Sequence, residues 1–93
     1  MQPASAIAVT ANAQVIAAGK GAIYLGAHLA AAAATSTLKL YHGTANTDPL
    51  IASLVCVANT GDDDATKGGG ISCPNGIYAE ITGASAAGIV AVG

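Results

Sequence analysis

Ser36-Thr37-Leu38-Lys39-Leu40-Tyr41 is the stretch that decides the fold. Leu38 and Leu40 alternate with Lys39 and Tyr41, and a period of two puts the leucines on one face of a strand. The six residues hold no glycine or proline to interrupt them. Polar turn material follows at once in His42-Gly43-Thr44-Ala45-Asn46-Thr47-Asp48-Pro49.

Working toward the N-terminus, Ala30 to Ala34 is a run of five alanines. Alanine is the best helix former, but five residues are too few to sustain a helix unaided. The run reads as a connection with room for one helical turn. Before it, Ala22 to Leu29 alternates, with Ile23, Leu25, Ala27 and Leu29 on one face and Tyr24, Gly26 and His28 on the other. Gly19-Lys20-Gly21 is a turn, Gln14 to Ala17 a short strand, and Ser5 to Thr10 the first strand.

Toward the C-terminus, Leu50 to Val57 is apolar on both faces except at Ser53. A strand covered on both sides reads this way, with one face on the core and the other on a neighbouring subunit. Asn59 to Gly70 is the longest loop and contains Asp62-Asp63-Asp64 and Gly68-Gly69-Gly70. Ile71 to Cys73 is a short strand, and Pro74-Asn75-Gly76 is a turn suited to positive φ. Ile77 to Thr82 sets Ile77, Ala79 and Ile81 against Tyr78, Glu80 and Thr82. After the turn at Gly83-Ala84-Ser85, Ala87 to Val92 is the last strand. The pattern predicts a single all-β domain over residues 1–93. Its expected form is an antiparallel two-sheet β-sandwich or jelly-roll-like barrel of about eight short strands. Parity places Ile23, Leu25, Leu38, Leu40, Leu54, Ile77 and Ile81 in the core.

Composition narrows the function. The chain is 53% hydrophobic and 9% charged, where an ordinary domain carries roughly 25% charged residues. A small domain has much surface to cover, so partner subunits are expected to cover part of it. The alternative is a bland, soluble surface of Ala, Ser, Thr and Gly, since the excess hydrophobicity is mostly alanine. The net charge is −2, and Lys20, Lys39 and Lys67 are scattered singly. That excludes the basic stripe a nucleic-acid partner requires. Met1-Gln2-Pro3-Ala4-Ser5 has no basic region of a secretory signal. The apolar run Gly21 to Ala34 is shorter than the ~20 residues a membrane span needs. The sequence therefore predicts neither a membrane nor a nucleic-acid partner, and a protein made in a cytosol.

No catalytic constellation emerges. His28 and His42 are the residues best suited to general-base chemistry, but no nucleophile elbow accompanies them. Cys56 and Cys73 read as buried thiols, with a disulfide as the alternative if the protein ends up outside a cell. Two cysteines and two distant histidines lack metal-ligand spacing. Asp62-Asp63-Asp64 lacks the alternating ligands of a calcium loop and reads as a solvated loop tip. The lysine before Gly68-Gly69-Gly70 is on the wrong side for a phosphate loop. Neither enzyme activity nor a cofactor is expected. The candidate interface residues are Tyr24, His28, Tyr41, Tyr78 and Glu80, each on the face opposite the expected core.

Several segments carry a family resemblance. They are the Ala-rich first strand, Gly-Xaa-Gly-Xaa-Ile-Tyr-Xaa-Gly at Gly19 to Gly26, and Leu-Lys-Leu-Tyr at Leu38 to Tyr41. Asn-Gly-Ile-Tyr-Ala-Glu-Ile-Thr-Gly at Asn75 to Gly83 and Val-Xaa-Val-Gly at Val90 to Gly93 complete the set. Together they resemble small virion proteins of tailed bacteriophages, including capsid decoration (cement) proteins. The chain departs from that pattern at its two cysteines and at Asp62-Asp63-Asp64. The resemblance implies a structural protein on the capsid surface, made in the host cytoplasm. Its implied partners are the major capsid protein and copies of itself as a homotrimer. The alternative is a tail, neck or fibre component, with glycan binding as one form of that role.

Overall fold

The computed structural model describes residues 5–19, 21–65 and 70–93. Lys20, Lys67, Gly68 and Gly69 lie outside the described residues. Within them are nine strands and no helix: β1 (Ser5–Val9), β2 (Ala13–Ile16), β3 (Ala22–Ala30), β4 (Ser36–His42), β5 (Leu50–Cys56), β6 (Gly61–Ala65), β7 (Ile71–Cys73), β8 (Ile77–Thr82) and β9 (Ala87–Val92). The alanine run makes no helical turn. Its backbone is tied across the connection by Ala31 N–H to the Thr60 carbonyl at 2.9 Å and by Asn59 N–H to the Ala32 carbonyl at 2.7 Å.

All pairings are antiparallel. Sheet A has the order β1-β9-β3-β6, with β7 also on β3, and sheet B has the order β2-β8-β4-β5. The pairs nest: β1 with β9, β2 with β8, β3 with β6, β4 with β5. One long hairpin, rolled up so that successive strand pairs alternate between sheets, produces this order, the arrangement of a jelly roll. The β6 and β7 segments together line one side of β3. Ala65 is level with Gly26 and Ile71 with Tyr24, so β6 and β7 follow one another along the same edge of β3.

The core lies between the sheets. Leu38, Leu40, Leu54 and Ile77 are fully buried or nearly so, as their parity predicts, and Leu29, Ala79 and Val90 join them. Ile81 is only partly buried, packed against the margin of this core. Two other expectations fail in β3. Ile23 is 38% exposed and Leu25 half-buried, while Tyr24 is fully buried. The cause is a β-bulge. Tyr24 is level with Val92 but Gly26 with Ala91, so β3 has one more residue than β9 at this point. An extra residue turns every preceding side chain to the opposite face. Ala27 and Leu29, beyond the bulge, keep the inward parity expected of them.

The other correction is β6. The acidic segment read as a loop tip is a strand, with Asp64 level with Ala27, Asp63 with His28 and Asp62 with Leu29. Aspartate is a poor strand former, so side-chain partners must compensate here. The turn at Pro74-Asn75-Gly76 behaves as expected: Gly76 has φ 93°, and a Cβ there would lie 2.5 Å from the Ile16 carbonyl oxygen.

Candidate functional site

The five candidate interface residues separate into three places. Tyr41, Tyr78 and Glu80 meet on the outer face of sheet B. His28 is on the outer face of sheet A. Tyr24 is inside, and is therefore not available to a partner.

On sheet B, alternation turns Thr37, Lys39 and Tyr41 of β4 outward beside Tyr78, Glu80 and Thr82 of β8. The register sets Tyr41 opposite Tyr78, Lys39 opposite Glu80 and Thr37 opposite Thr82. The tyrosine rings lie 6.5 Å apart at 45°, within the range of favourable aromatic pairs. Tyr41 is buried, at 9% exposure, contrary to its expected place at an interface, and Tyr78 is half-buried, so Tyr78 is the ring that faces solvent. Glu80 accepts a hydrogen bond from Asn46 Nδ2 at 2.9 Å, and the Thr37 and Thr82 hydroxyls bond to each other. This face is preorganised, because its polar side chains hold one another in place. The Lys39–Glu80 juxtaposition was the least legible part of it, because pairing β4 with β8 depends on register and not on local pattern.

Next to this face is the apolar surface. Leu50, Val55 and Val57 are 54%, 56% and 63% exposed, and all three belong to β5 or its exit. Inward parity goes to Ala52, Leu54 and Cys56, which leaves Val55 beside Ser53 on the outside. The strand read as apolar on both faces is therefore an edge strand with one bare side.

On sheet A, His28 Nδ1–H donates to Asp63 Oδ1 across the strand pair. Both side chains are well exposed, at 49% and 74%. Gly61 gives the imidazole its resting place, since a Cβ there would meet His28 Cε1 at 3.3 Å. Beneath, the Tyr24 hydroxyl donates to Asp64 Oδ2 at 2.5 Å. Burial pushes the Tyr24 phenol well above its ordinary value, and the bond to Asp64 and its negative charge push it further. Asp62 faces the other sheet and accepts Val55 N–H on Oδ2 at 3.3 Å. Each aspartate of β6 thus has a distinct task. The signal for two of them was present in β3, whose Tyr24 and His28 both need polar partners.

The remaining reactive groups are committed to structure. His42 Nε2 accepts Asn75 N–H at 3.3 Å. Asp48 Oδ2 accepts Thr44 N–H at 2.8 Å and Ala45 N–H at 3.1 Å. His42, Thr44, Asp48 and Asn75, with Ala18, Gly43 and Pro49, line an open cleft of about 440 Å³. Cys56 and Cys73 are free and buried, and burial raises the Cys73 thiol above its ordinary value. Among the described residues, no three His, Cys, Asp or Glu side chains gather as a metal site would require. Comparison with known protein families, characterised proteins and solved structures gives no significant match.

Proposed function

We propose that this chain is a structural virion protein, a capsid decoration protein that binds the assembled head of a tailed phage and stabilises it. It acts by surface binding and not by catalysis. The observation that carries the binding reading is the continuity of the apolar β5 side, Leu50, Val55 and Val57, with the ordered Tyr41–Tyr78 and Lys39–Glu80 face of sheet B. Large exposed apolar side chains set along one side of a strand mark a surface that a partner covers. Preorganised side chains beside them lose little freedom on binding. The segments at Gly19 to Gly26 and Asn75 to Gly83 supply the phage resemblance. The jelly roll is compatible with it, although a fold alone assigns no function.

In this reading the partner is the major capsid protein, and copies of the chain assemble as a trimer matching a local three-fold axis. A protein that binds the assembled lattice and not its dissociated subunits shifts the equilibrium toward assembly. Stripping the protein from particles and adding it back tests this. Redecorated particles should open at a higher temperature than stripped ones. Equal opening temperatures would remove the cementing role, and a handful of copies at one vertex would favour the tail or neck alternative.

A further inference from the structure

We infer that β1 is a docking edge for a second copy of this chain, paired antiparallel about a two-fold axis through Ile7. The inference stands whether or not the chain decorates a capsid.

A sandwich of two open sheets leaves unpaired backbone at its edges, and folded proteins normally blunt such edges. Three of the four sides here are blunted. The β6 edge carries Asp62, Asp63 and Asp64. On β5, Leu40 is level with Ala52 but Tyr41 with Leu50, so a bulge at Ile51 breaks the strand, and Asp62 covers the Val55 N–H. The β2 edge has four residues and a register break between Gln14 and Ile16. By contrast, β1 pairs with β9 in one unbroken register from Ser5 to Val9 and has no charge, bulge or proline.

The chemistry of this side favours a copy of itself. In a two-fold contact each surface meets its own kind, so an acidic edge such as β6 would repel itself. None of β1, β2 and β9 carries a charged side chain. Centred on Ile7, the pairing sets Ala6 opposite Ala8 of the copy, small against small, and Ile7 opposite Ile7. Ala6 and Ala8 are exposed, whereas Ile7 is half-buried against the core. Beside it an uncharged groove of about 230 Å³ runs between β1 and β2, lined by Ile7, Val9 and Val15 among others. The copy's Ile7 would close over that groove. Sheet A would then continue through both molecules, with backbone hydrogen bonds holding the join.

The contact is small. Five residues span about 17 Å, and the molecule's least extent is 18 Å. The footprint is therefore roughly 300 Å² per copy, where a standard interface uses ~800 Å² per partner. The pairing is weak alone and gains strength where copies are already held side by side. It is also distinct from the three-fold packing proposed above.

Sedimentation equilibrium up to millimolar concentration tests the inference. The average mass should climb from 8.8 kDa toward twice that value. A6K/A8K sets lysine against lysine at both crossings and should hold the mass at the monomer value. A6E/A8K sets each glutamate against a lysine of the copy and should restore association in low salt. Circular dichroism of each variant confirms that it is folded. A wild-type mass that stays monomeric, association unaffected by A6K/A8K, or failure of folded A6E/A8K to recover it would each overturn the β1 contact.

Discussion

In sheet B the long strands alternate cleanly. Leu38 and Leu40 of β4, Leu54 and Cys56 of β5, and Ile77 and Ala79 of β8 all face the core. In sheet A the central strand changes face at Leu25, and one edge is an aspartate run. Both sheets bury a similar apolar layer, yet they do so by different means. Sheet B confines its irregularities to its edge strands, at Ile51 of β5 and between Gln14 and Ile16 of β2, so the period of two holds through β4 and β8, and its outward polar groups pair with each other. Sheet A puts a tyrosine in the core and depends on β6 to supply its acceptor. Alternation is thus a dependable code only between bulges, and a polar run can hold a strand when the neighbouring strand offers matching partners.

The sharpest test of this contrast uses leucine and isoleucine on strands that the sequence treats alike. Leu40→Ala in sheet B should cost about 2–5 kcal/mol, because the side chain is fully enclosed. Ile23→Ala in sheet A should cost well under ~1.5 kcal/mol, because the bulge has turned Ile23 outward. Urea unfolding of the two variants measures both. Equal losses would mean that β3 does not change face.

A smaller effect separates the aspartates. Tyr24→Phe removes the donor to Asp64 and should cost about 1–3 kcal/mol. Asp63→Asn alters an exposed pair and should stay within about 1 kcal/mol. The tyrosine also has a pH signature. Its folded phenol titrates above the unfolded value near 10, so the unfolded chain gives up this proton first. The stability that neutral Tyr24 contributes is complete below about pH 10 and is lost as pH rises beyond it. Cys73 has the same sign, beginning about a unit lower. Denaturation followed from pH 8 to 11 should show a shallower alkaline decline for Tyr24→Phe than for the natural chain.

These differences also explain what could be read from the residues. Strands β4, β8 and β9 were legible because alternation and turn residues agree there, as at Asn75-Gly76. The face of Tyr24 was not, because one extra residue at Leu25 leaves no local mark on composition. β6 was hidden because aspartate argues for a loop, and only its pairing with Tyr24 and His28 outweighs that. Among the interface residues, Tyr41, Tyr78 and Glu80 fell together because both their strands are regular. His28 went to the opposite outer face, since its strand belongs to the other sheet.

Those regular strands form the face to which the proposed capsid binding is assigned. Its contacts would be mainly apolar packing and neutral hydrogen bonds, which salt screens little even where the Debye length falls to ~3 Å at 1 M. The direct measurement is cosedimentation of the purified protein with stripped particles at physiological and 1 M salt, with dissociated capsid subunits as the comparison. Saturable binding to particles that is retained at 1 M salt, with none to dissociated subunits, is the predicted result. Absence of binding to particles, or equal binding to the free subunits, would contradict the account.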